Sequence, residues 1–181
     1  MKTLIQTLSF LSLFILLSGS SSIDENERLL SLLDEEWHYE LSQRPVYATA
    51  MGEKGYETKW QDLSLEAINL RKTHSVELLE KLKVFKPKKL TTDNQLNLRL
   101  FQQLTEIEIE TGEYKRHLFP FSHRGGIQLA HEDAEVLPLD TVEDYQNWIG
   151  RLKNLDRRIK QTINLAHIGL DKGYKAPKVL M

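Results

Sequence analysis

The sequence contains no cysteine. That absence removes a disulfide framework, a thiolate metal site and a cysteine nucleophile together. If the protein is exported, its core must hold the fold unaided. Concentrated positive charge is also missing: the net charge is −2, with Lys and Arg spread along the chain. Phosphate binding needs a basic face, so nucleic acid is not an expected partner. The nearest thing to a basic run, Lys86, Lys88 and Lys89 around Pro87, falls in a linker and reads as a solvated turn. No G-x-S-x-G, Gly-rich phosphate loop or nucleophile–base constellation is present. No strand pattern survives beyond a few residues, and no internal repeat is evident.

What remains is ordinary globular composition, 28% charged and 40% hydrophobic over 181 residues. That suffices for one domain with a real core. The first segment, MKTLIQTLSFLSLFILLSGSSS, has Lys2, then an apolar run from Leu8 to Leu17, then small residues. The run is too short to span a bilayer and has the parts of a secretory signal peptide, so residues 1–22 are expected to be removed on export. LSGS resembles a lipoprotein box, but Ser20 stands where the lipid-accepting cysteine would be. The expected location is therefore periplasmic or secreted, with no stable membrane anchor.

Residues 23–181 read as all-α, a bundle of about four helices. Asp24 to Arg44 places Leu29, Leu30, Leu33, Trp37 and Leu41 on one face, and Pro45 ends it. YATAMGEKGYETKWQDLS reads as a loop leading to Ser64 as N-cap. A second helix from about Leu65 to Val84 turns Leu65, Ile68, Val76, Leu79 and Leu82 inward, with Pro87 closing it. Thr92 and Gln95 suggest a capping box for a third helix to about Thr111, with Leu96, Leu100, Leu104 and Ile107 as its stripe and Gly112 as its stop. Residues 113–139, punctuated by Pro120, Gly125, Gly126 and Pro138, form a long irregular segment of the kind that often carries function. Thr141 and Asp144 then cap one long helix to Gly173, striped by Tyr145, Trp148, Leu152, Leu155, Ile159, Ile163, Ala166 and Leu170. KAPKVLM reads as the start of another helix with Pro177 in its first turn, so the chain is expected to be the front part of a longer protein.

HEDAE, residues 131–135, nearly matches the H-E-x-x-H zinc signature, in which positions i and i+4 share a helix face. Its fifth residue is Glu135, and no further ligand follows at helical spacing, so the stretch reads as a short solvated helix. His117, His123 and His131 match no standard ligand spacing. His38, His74 and His167 fall on separate helices as surface or boundary residues. The SHRGG stretch is the candidate substrate-binding turn. Arg124 can form a bidentate fork to a carboxylate, His123 adds a donor, and Gly125 and Gly126 let a backbone or ligand come close. Alternatively, Arg124 pairs with Glu132 or Asp133 and only fixes the loop.

Several stretches in order, LDEEWHYELSQRPVYATAMGEKGY, DLSLEA, FPFSHRGG, LPLDTVEDYQNWIGRLKNL and GLDKGYKAPKVLM, resemble the N-terminal part of the domain-of-unknown-function family 885 (DUF885), over nearly all of residues 30 to 181. The resemblance implies a largely helical, exported, zinc-metallopeptidase-like parent carrying an H-E-x-x-x-G-H-H motif in its later half. That motif is absent here. The resemblance therefore implies no catalytic and no metal residue in this chain, and no cofactor within it, with zinc expected in the full-length parent. Its expected partners are the remainder of the parent chain and a peptide substrate, for which these helices would form one wall of the cleft. The alternative is a stand-alone, non-catalytic helical binding or scaffold protein. Coding sequence beyond codon 181 separates the two.

Overall fold

The computed structural model describes residues 24–122 and 125–175. The signal-like segment 1–22, His123, Arg124 and the stretch around Pro177 lie outside the described residues. The fold is all-α, with one isolated bridge between Ser122 and Gly125. Six α-helices are described: α1 (Glu25–Gln43), α2 (Pro45–Ala50), α3 (Leu65–Lys83), α4 (Thr92–Gly112), α5 (Val142–Lys153) and α6 (Leu155–Asp171). No helix among the described residues is long and apolar enough to cross a membrane.

Most helix starts follow local chemistry. Ser64 Oγ accepts from the Ala67 amide at the start of α3. At α5, Thr141 Oγ1 accepts from the Asp144 amide, while the Asp144 carboxylate accepts from the Thr141 amide. Two starts differ from the sequence expectation. The cap of α4 is Thr91, whose hydroxyl accepts from the Asn94 amide, and Gln95 donates instead to the Leu90 carbonyl. Pro45 ends α1 and also opens α2, because its fixed φ suits the first helical position, so part of the expected loop is helical.

The interior is formed at two places. Leu29, Leu32, Leu78, Leu82, Phe85, Leu90 and Leu98 bring α1, α3 and α4 together. Ile68, Leu118 and Leu165 join α3 to α6 through the turn that holds Leu118. Several residues expected inside lie outside. In α1 the inner face runs through Leu29, Leu32 and Glu36, leaving Leu30 and Trp37 exposed. In α3, Ser75 and Leu78 are buried where Val76 was expected, and Leu65 is exposed.

The largest departure is in α4. Its buried row is Asn94, Leu98 and Thr105, whereas Leu96, Leu100, Leu104 and Ile107 are 54%, 49%, 62% and 47% exposed. Residues two apart on a helix sit about 200° around its axis, so Leu96 and Leu100 lie opposite the buried Leu98 and face outward. The expected single long helix is likewise broken at Asn154 into α5 and α6. Its buried row is Arg151, Thr162, Leu165 and Gly169, while Tyr145, Leu152, Ile159, Ile163 and Leu170 face outward.

Candidate functional site

The irregular segment after α4 is a chain of 3-10 turns, Arg116–Leu118, Ile127–Leu129 and Glu132–Glu135. Its tightest approach to α6 is at Leu118. Leu118 is buried, and its carbonyl lies where a Cβ on Gly169 would be. Just before it, Lys115 has φ 51, the only non-glycine residue with positive φ among those described. Left-handed backbone costs a β-carbon-bearing residue roughly 1–2 kcal/mol. Here it is over-determined by the Lys115 N–H to Gly112 carbonyl bond (3.3 Å) and the Leu118 N–H to Lys115 carbonyl bond (2.9 Å).

Ser122 and Gly125, on either side of His123 and Arg124, are hydrogen-bonded to each other. The Ser122 amide donates to the Gly125 carbonyl at 2.8 Å, and the Ser122 hydroxyl donates to the same oxygen at 3.2 Å. Gln128 Nε2 donates to the Ser122 carbonyl at 2.7 Å, locking the base of the turn. Gly126 has φ 140, and a Cβ there would collide with the Gln128 side chain. Gly126 thus admits the protein's own Gln128. Of the four proposed binding residues, Gly125 lines a cavity of about 500 Å³, and Gly126 shapes the turn beside it. His123 and Arg124 lie outside the described residues. The carboxylate of Asp133, one candidate partner for Arg124, approaches Arg158 at 3.5 Å.

That cavity also meets Lys115, Arg116, His117, Phe119 and Tyr174. His117 holds its proton less readily than usual, first through burial and then through Lys72, Lys172, Lys115 and Arg71, all cations. The sequence had pointed to the turn but not to this cationic floor. The signal was present in the run Lys115–Arg116–His117 directly after the helix stop at Gly112.

A second polar cluster had been overlooked. Glu36 is buried on the inner face of α1 and meets His74 of α3 at 2.6 Å, with Tyr39 stacked on the His74 ring at 3.6 Å. Glu36, Tyr39 and His74 line a cavity of about 160 Å³ together with Glu40, Arg71, Glu108 and an apolar wall that includes Leu78, Phe101 and Leu104. Burial, then the charge of Glu108, raises the Glu40 carboxyl above its usual range, and burial also raises the Tyr39 phenol. The visible signal was Glu36 itself, an acid in register with Leu29 and Leu32.

Zinc does not fit the described residues. No three His, Asp or Glu side chains among them converge as a metal would require. Glu132–Glu135 is a 3-10 turn with His131 at its start. At three residues per turn, positions 131 and 135 are rotated by about 120° and do not share a face.

A family model described as "Bacterial protein of unknown function (DUF885)" matches residues 45–181. No curated protein matches the chain.

Proposed function

Because the chain belongs to the DUF885 family of bacterial proteins, we propose that it is the helical N-terminal part of an exported, zinc-peptidase-like protein and forms one wall of its substrate cleft. In this reading the metal and the acid–base chemistry reside in a later segment of the longer protein. This chain supplies shape and ligand contacts through the SHRGG turn and the cavity beneath it. The substrate class is a peptide.

One observation carries the reading. α4, α5 and α6 each bury one row of side chains and leave a second, more apolar row in solvent. Large apolar side chains left outside on three successive helices mark a face over which another layer would pack. A second layer contributed by the same polypeptide accounts for these rows, and the metallopeptidase-like resemblance says what that layer would contain. The signal-like first segment supports export.

The test starts from the native gene. Coding sequence running on past codon 181 into H-E-x-x-x-G-H-H, with peptide hydrolysis lost on chelation and restored by zinc, is the expected result. A native stop after Met181, with the purified chain melting as a sharp, cooperative monomer, overturns the proposal and leaves the stand-alone scaffold.

A further inference from the structure

We propose that the cavity between the Lys115–His117 turn and Tyr174 is a binding site for a small carboxylate-bearing ligand with an apolar body. The inference does not depend on the peptidase reading, since the cavity's chemistry is the same whether or not a hydrolytic centre faces it.

Size comes first. At about 500 Å³ the space falls within the range of small-molecule sites, roughly 300–1,000 Å³. Charge comes second. Among the described residues, the ionised side chains lining it, Lys115 and Arg116, are both cations, and no Asp or Glu lines it. Lys72 and Lys172 stand close enough to act on His117. None of these four cations forms an ion pair among the described residues. An internal explanation is available, because α4 ends at Gly112 and α6 ends at Asp171, and each helix terminus presents about half a negative charge. Together that is about one unit against four cations, so the helix ends account for only part of the positive charge.

The same helix ends decide which anion fits. Phosphate sites commonly use the positive N-termini of helices. Here both nearby termini are carbonyl ends, which oppose a dianion more than a monoanion. A carboxylate fits the Arg116 fork, whose paired N–H groups match its two oxygens, with Lys115 beside it. Phe119 and Tyr174 offer ring surface for the rest of the molecule. His117 has no hydrogen-bond partner among the described residues, leaving its ring nitrogens for the ligand. The left-handed Lys115 fits the assignment too: glycine would hold that turn without strain, and lysine there sets a cation at the cavity wall.

The experiment titrates the chain with benzoyl-glycine, its amide and inorganic phosphate, by calorimetry and by the NMR signals of the His117 ring. The doubly substituted variant Lys115→Gly, Arg116→Gln is the comparison, chosen because glycine keeps the left-handed backbone and so preserves the melt. Benzoyl-glycine should bind and move the His117 signals. Its amide, and the variant with benzoyl-glycine, should each bind roughly tenfold or more weakly. Equal binding of amide and acid, tighter binding of phosphate, unchanged binding by the variant, or His117 signals that do not move would each overturn the assignment.

Discussion

Arg151 joins three segments. It is fully buried, donating through Nε to the Glu57 carbonyl at 2.6 Å and through Nη2 to the Thr49 hydroxyl at 2.6 Å and the Tyr56 carbonyl at 2.9 Å. Its own carbonyl accepts from the Trp60 indole at 2.7 Å. Burial lowers its pKa to about 10, which still leaves it charged at neutral pH. Nη1 has no partner among the described residues. Truncation strands acceptors that cost roughly 1–3 kcal/mol each when left unpaired. Arg151→Ala should therefore lose about 3 kcal/mol or more, a fall in Tm of roughly 6–12 °C in a calorimetric melt. Arg158→Ala, whose side chain lies over Trp60 nearer the surface, should lose clearly less.

Glu40 gives a pH-dependent counterpart. Burial and Glu108 hold its carboxyl above the usual range. A carboxyl whose folded pKa is raised favours folding in acid, and that advantage is lost as pH rises through the folded value. At neutral pH its ionisation works against the fold. Glu40→Gln should raise the Tm near neutral pH, with the gain vanishing below about pH 4, where Glu40 is protonated in both states. Paired melts across that range check it, and a gain that persists in acid would contradict it.

At the scale of elements, two glycines separate propensity from packing. Alanine is the better helix former by up to about 1 kcal/mol. At Gly112 the new methyl would meet only the Lys72 stem at an ordinary 3.6 Å, so Gly112→Ala should be neutral or stabilising. At Gly169 it would collide with the backbone of Leu118. Gly169→Ala should therefore be destabilising despite its better propensity, and should shift the His117 NMR signals as the Arg116–Leu118 turn moves off α6. Denaturant midpoints for the two variants should move in opposite directions, or only the second should fall.

For the whole molecule, the exposed row on α4 has a colloidal consequence. Contiguous apolar surface beyond a few hundred Å² promotes association. The purified chain should self-associate at moderate concentration and bind a hydrophobic dye. Leu100→Glu with Leu104→Glu should make it monomeric in sedimentation, with stability changed by no more than about 0.5 kcal/mol per site. In a longer protein with a layer packed over α4, the same pair should be strongly destabilising. That contrast decides whether such a layer exists.

The caps at Ser64 and at Thr141 with Asp144 were legible in the sequence, as were the end of the third helix near residue 112 and the irregular nature of residues 113–139, although Gly112 is the last helical residue and the left-handed position is Lys115. Each depends on chemistry within a few residues of itself. The helical class was legible for the same reason, because a 3.6-residue period is a local property. Which row of α4, α5 and α6 faces the core was not legible. The more apolar row is the exposed one, and the choice is made by how α4 seats against α3 and α6 against the Leu118 turn. The burial of Glu36 and Arg151 also escaped, since a charged side chain enters the interior only where distant partners receive it: His74, 38 residues away, and Thr49, 102 residues away. The candidate site divides likewise: Gly125 and Gly126 announced a turn by their type, but the cationic cavity beneath it exists only because α4, α6 and the turn meet in space. Secondary structure here follows from neighbours along the chain; facing, burial and cavity chemistry follow from neighbours across it, and only the tertiary structure decides those.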